Sequence, residues 1–135
     1  MSNDTPTTGI HSLSPHLVCA GAADAIDFYV RAFGATELMR LPGPDGTLMH
    51  AAVQINGSSV MLVDEMLDYG IKSPTTLGGT PVILGIDVTD ADGVADRMIE
   101  AGATVIYPIT DTEYGMRGGR LADPYGHQWM IHQPL

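Results

Sequence analysis

Ala22–Thr36 reads AADAIDFYVRAFGAT, and 68 positions later Asp90–Thr104 reads DADGVADRMIEAGAT. Both end on Gly-Ala-Thr. In the first, Ala22, Ala25, Ile26, Tyr29, Val30 and Phe33 recur at the three- and four-residue spacing that gathers side chains into one stripe of a helix. In the second, the stripe is Val94, Met98 and Ala101. Gly34 suits the left-handed residue just past a helix end. Asp90 is a good N-cap for the second helix and Gly102 its stop. A second pair of segments repeats at an offset of 69: Asn56–Val63, NGSSVMLV, and Tyr125–His132, YGHQWMIH. Each has glycine second and a Met followed by an aliphatic residue. Identity is low, but the order of features is the same in both halves, as expected of a duplicated unit.

Outside the helices the period changes to that of strands. One strand precedes each helix, at about His16–Cys19 and Val82–Val88. Three follow the first helix: Thr36–Leu41, Leu48–Ile55 and Ser59–Asp64. The turns between them are Gly43-Pro44-Asp45-Gly46 and Asn56-Gly57, and Asn-Gly between apolar alternations is a strong hairpin signal. Three follow the second helix: Thr104–Pro108, Gly119–Ala122 and His127–His132. The expected fold is α+β, two tandem βαβββ modules (14–66 and 82–135) joined by a linker (67–81). Residues 1–13 read as a polar, flexible tail. Each sheet carries its helix on one face, and the two sheets are expected to enclose a trough, a natural place for a small molecule.

Composition narrows the function classes. With 135 residues, 44% hydrophobic and 16% charged, the chain is an ordinary globular domain. A net charge of −10, with only six Lys and Arg, argues against nucleic acid. It suits solubility and is compatible with a cationic ligand. No apolar run approaches the roughly 20 residues of a membrane helix, and the N-terminus lacks the basic start and apolar core of a signal peptide. A single cysteine, Cys19, allows no intrachain disulfide and makes a cytoplasmic location the expectation. No Ser-His-Asp constellation, phosphate loop or dinucleotide fingerprint is present.

The segments AIDFYVRAFGA, HAAVQINGSSVMLVDE, SPTTLGGTPV and YGMRGGRLADPYGHQW resemble the vicinal oxygen chelate superfamily, which includes glyoxalase I, bleomycin resistance proteins and extradiol dioxygenases. Within it they are most similar to the PhnB-like group. The resemblance runs from about Ser14 to Gln133. It implies a homodimer, because such modules often pair between chains. It also implies a divalent metal held by four trough-facing positions, on the first and last strand of each module. Carried over, these are His16, Met61, Ile83 or Leu84, and Met130. One imidazole in four is not a divalent site, and thioether sulfur suits soft Cu(I) instead. The expectation is therefore no cofactor. The alternative is a divalent metal rebuilt from His16, His50, Glu65 and His132.

For the ligand, the candidate residues are His16, His50, Met61, Tyr114, Arg117, Arg120 and Met130. His16 stands at a ligand-type position, and His50 lies in the shared motif MHAAVQING. Met61 and Met130 supply an adaptable apolar wall. The stretch Thr110–Pro124, TDTEYGMRGGRLADP, reads as a long glycine-rich loop. From it Tyr114, Arg117 and Arg120 can close over a ligand, and Arg pairs well with carboxylate or phosphate. The PhnB-like pattern has Asp before the first of these arginines, where this chain has Met116. Trp129, opposite Met130 in the strand alternation, is expected in the core, as is Cys19. His127 is expected to trim the Asp123–Gly126 turn. Three readings follow: a small-molecule binder lacking the usual metal, a metal-dependent lyase, isomerase or dioxygenase, and a structural module with a closed trough.

Overall fold

The computed structural model describes residues 8–135. Strands β1 (His16–Cys19), β2 (Thr36–Pro42), β3 (Leu48–Ile55) and β4 (Ser58–Asp64) surround helix α1 (Ala22–Phe33) in sequence. The second half repeats the plan with β5 (Ile83–Asp87), α3 (Ala91–Glu100), β6 (Thr104–Asp111), β7 (Met116–Ala122) and β8 (Gln128–Pro134). The sheets are ordered β1-β4-β3-β2 and β5-β8-β7-β6. In each, the first strand pairs with the last in parallel and the other neighbours are antiparallel. The two tandem βαβββ modules are thus present.

Each helix starts on a hydrogen-bond acceptor sent from the last strand of its own sheet. Gly21 has no side chain with which to cap α1. Asp64, buried at the end of β4, accepts from the Gly21, Ala22 and Leu48 amides instead. Residue 69 positions later is Gln133, whose Oε1 accepts from Ala91 N at the start of α3. There Asp90 adds its own cap, accepting from Gly93 N. Orphan N–H groups of a first turn need such partners. Gly34 closes α1 in the left-handed region, φ 67°.

Both sheets turn one face to the helices and share one core. Leu17, Val53 and Leu62 from the first sheet join Leu121, Trp129 and Ile131 from the second, around Ile26, Tyr29 and Met98. Phe33 and Tyr29 of α1 pack at a tilt against Trp129, at ring distances of 4.8 and 5.6 Å. Between the modules, Asp123 is buried and accepts from the Tyr29 hydroxyl and from Trp129 Nε1. The amides of Tyr125 and His127 bond the same carboxylate. Burial, reinforced by Asp123, pushes the Tyr29 hydroxyl well above its ordinary pKa. Each helix also sends an arginine to the other's last turn, Arg31 to the Ala101 carbonyl and Arg97 to that of Ala32.

One expectation changes. The stretch Thr110–Pro124 is not a long loop: β6 runs to Asp111 and β7 starts at Met116, so only 112–115 turn. The glycines that suggested a loop are demanded by strand packing, since a Cβ on Gly119 would lie 2.5 Å from the Tyr107 carbonyl oxygen. The linker carries a 3-10 turn (Leu67–Tyr69) and a short helix, α2 (Pro74–Leu77). Ser73 caps α2, and Ser-Pro is a start signal as well as a breaker. Among the described residues, no helix is long and apolar enough to cross a membrane.

Candidate functional site

Strand register decides which side chains share the face turned away from the helices. In the first sheet, His16 lies beside Met61, Met61 opposite Ala52, and Ala52 opposite Met39. In the second, Gly85 lies beside Met130, Met130 opposite Arg120, and Arg120 opposite Tyr107. The counterpart of His16 is therefore Gly85, not Ile83 or Leu84. The 69-residue offset that relates Met61 to Met130 holds through the first strand as well. The four positions that the resemblance assigns to metal ligands carry one imidazole, two thioethers and no fourth side chain. This donor set does not fit a divalent ion.

On the first sheet, three candidates share this face. His50 is two residues from Ala52 on β3, and its ring lies 6.0 Å from that of His16, tilted by 36°. Met61 is half-buried beside them.

The second sheet carries a groove of about 910 Å³. Tyr114, Arg120 and Met130 line it, together with Tyr107, Thr110 and His132. No residue of the first module contributes to it. The groove is open, with Met130 42% exposed rather than packed across it. Arg120 sits with its guanidinium carbon 5.3 Å from the centre of the Tyr107 ring, a cation–π arrangement. Its Nε is buried and has no hydrogen-bond partner among the described residues. His132 turns Nδ1 toward Asp87, with Oδ1 at 2.5 Å but off hydrogen-bond alignment. Its Nε2 hangs over Gly85, 3.5 Å from where a Cβ would stand.

The remaining candidates lie elsewhere. Arg117 alternates to the helix side of β7. There its guanidinium bonds both oxygens of Asp92 at the start of α3, and Asp111 on β6. Those carboxylates raise its pKa further. Arg117 thus ties sheet to helix and does not reach the groove, contrary to its expected place among the ligand-binding residues. Nor is the alternative metal set assembled: His16 and His50 are on one sheet and His132 is on the other. Glu65 is engaged by the linker, where Ser73 bonds it through its amide and hydroxyl. Hydrogen bonds from Thr76 and Ser73 hold that carboxyl below its usual pKa. Among the described residues, no three His, Cys, Asp or Glu side chains are placed to hold a metal ion together. Burial pushes the Cys19 thiol far up, against any nucleophilic use. His127 does trim its turn, and its Nε2 lies 2.8 Å from the Val18 carbonyl.

Sequence reasoning missed Tyr107, which Pro108 hid by breaking the strand pattern. It missed Asp87, although the expected strand Val82–Val88 contains it, because the pairing with His132 depends on the register between β5 and β8.

A model of the glyoxalase/bleomycin resistance protein/dioxygenase superfamily matches residues 9–131. The uncharacterized protein Mb0911c of Mycobacterium bovis is 54% identical over 127 residues, covering 92% of this chain and 84% of that protein. TioX from Micromonospora sp. ML1 superposes with a TM-score of 0.72 at 29% identity, covering 93% of this chain and all of that one. The PhnB protein from Bacillus cereus has a TM-score of 0.73 at 18% identity, covering 91% and 99%, a likeness of fold.

Proposed function

The chain belongs to the glyoxalase/bleomycin resistance protein/dioxygenase superfamily, and within it we propose a small-molecule-binding protein that works without the superfamily's divalent metal. The observation that carries this reading is the row His16, Met61, Gly85 and Met130, which offers a divalent ion a single suitable donor. Beside it lies an open groove walled by Tyr107, Tyr114 and Met130, adaptable apolar surface with a few polar groups, as ligand sites have. That openness favours a ligand over the reading in which methionines close the trough.

A homodimer belongs to the proposal. Edge strands β2 and β6 leave Leu38, Met39, Leu41, Val105 and Ile106 exposed, apolar side chains that a second copy would cover. The His16–His50 pair supports a second reading, a metal-dependent enzyme whose site is completed from outside these four positions.

Thermal unfolding against a small-molecule panel, with chelator and then with added divalent ions, separates the readings. A ligand at about a hundred times its Kd adds about 2.7 kcal/mol to native stability. Stabilisation by organic ligands in chelator is the expected result. Stabilisation only with divalent ions would transfer the case to the enzyme, and none under either condition would remove both.

A further inference from the structure

We propose that the groove of the second sheet takes an apolar molecule bearing a carboxylate, and that Arg120 receives the carboxylate. The inference rests on the reading of this groove as a ligand site and specifies what enters it.

The chain carries a net charge of −10, yet no Asp or Glu lines this groove. Its lining includes Arg120, the one Arg or Lys there, and His132, whose Nδ1 faces Asp87. The whole-chain balance is compatible with a cationic ligand, but the lining of this groove favours an anion. Local lining, with its short distances and low-dielectric walls, outweighs a diffuse surface charge that salt screens beyond roughly 8–10 Å.

Arg120 is also incompletely satisfied. Its Nε is buried without a partner among the described residues, while Arg117, three residues earlier, is fully engaged by Asp92 and Asp111. A buried donor left unpaired is uncommon and costly, and no protein acceptor among the described residues competes with a ligand at this atom. Tyr107 holds the guanidinium from one side at 5.3 Å, so the group is presented rather than mobile. A planar fork of donors matches a planar carboxylate. The site has one such fork, which suits a monoanion better than a phosphate. Tyr107, Tyr114 and Met130 supply the apolar walls for the rest of the molecule. The first sheet has Ala52 opposite Met61, where the second has Arg120 opposite Met130. The preference thus belongs to one module.

The test uses three probes on one ring system: 2-naphthoate, neutral 2-naphthamide and cationic 2-naphthylmethylamine. Binding to the full chain is followed by NMR shifts of Tyr107, Tyr114 and Met130, for wild type, Arg120→Gln and Arg120→Lys. Each variant's fold is checked by its amide spectrum. The expected result is that wild type binds naphthoate about tenfold or more tighter than naphthamide, the usual scale of a charge-assisted hydrogen bond. Arg120→Gln loses that preference while keeping naphthamide binding, and Arg120→Lys retains part of it. If Arg120→Gln disturbs the fold, Arg120→Lys carries the comparison: loss of the bidentate fork must still weaken naphthoate relative to naphthamide. Naphthamide or the amine binding as tightly as naphthoate overturns the carboxylate preference but leaves the groove a ligand site. Naphthoate preference persisting in the variants overturns the role of Arg120. If no probe shifts the groove signals, both the inference and the ligand-site reading fall.

Discussion

Opposite Met61 the first module has Ala52, and opposite Met130 the second has Arg120. Beside the same two methionines stand His16 and Gly85. Past them, on the edge strands, stand Met39 and Tyr107. The helix-facing positions behind these rows stay apolar in both halves and share a core. The faces turned away from the helices have separated into a histidine–methionine surface and an arginine–tyrosine groove. Duplication kept what packs and released what does not. A function for this chain is therefore argued module by module, and a pseudo-symmetric site made of matching residues is the wrong expectation.

The two modules meet at Asp123. Asp123 accepts from two side chains and two amides, one of them on α1 of the other module. Asp123→Ala leaves several buried donors unpaired and is expected to cost about 3 kcal/mol in urea unfolding. A cost under about 1 kcal/mol would mean that the modules stand without this joint. The helix starts differ between the modules too. Asp64→Ala strands three backbone amides and is expected to cost about 2 kcal/mol, whereas Gln133→Ala strands one, with Asp90 still capping, and is expected to cost about 0.5–1 kcal/mol. Equal losses would deny the asymmetry.

Smaller effects test the linker and the surface. Glu65 has its pKa lowered by Thr76 and Ser73. A carboxyl whose folded pKa lies below its unfolded value stabilises fully above the unfolded value, near 4.5, and stops doing so as pH falls through the folded one. The Ser73 amide signal is expected to titrate with a midpoint below 4.5, and a midpoint at or above it would contradict the anchoring role. Arg117→Ala removes exposed ion pairs, which contribute little. The urea midpoint is expected to stay nearly unchanged, as is ligand binding in the groove. Weakened binding would return Arg117 to the site.

Much of the fold was legible because its signals are periodic. The two helical stripes, the Asn56-Gly57 turn and the 69-residue offset each read directly. The ends of β6 and β7 were not, because Gly118-Gly119 and Pro108 look like loop residues until the packing that requires them is seen. A side chain on Gly118 would collide with the Ile131 carbonyl oxygen. The site was half legible. The chemistry of Arg120 is visible in the sequence, whereas His132 stands there only among the alternative metal ligands. That Arg117 points the other way depends on where β7 begins, and the odd spacing of the two arginines only then has meaning. Gly85 was missed because an aliphatic residue was expected in place of a gap in the side-chain row.

Ligand binding here is proposed not to depend on a divalent ion at the His16 face. The decisive experiment is metal content by mass spectrometry, after dialysis of untagged protein against mixed divalent ions, with wild type and His16→Ala side by side. Retention well below one ion per chain is expected in both proteins. Near-stoichiometric metal in wild type, lost in His16→Ala, would overturn the metal-free reading and make His16 and His50 the start of a metal site.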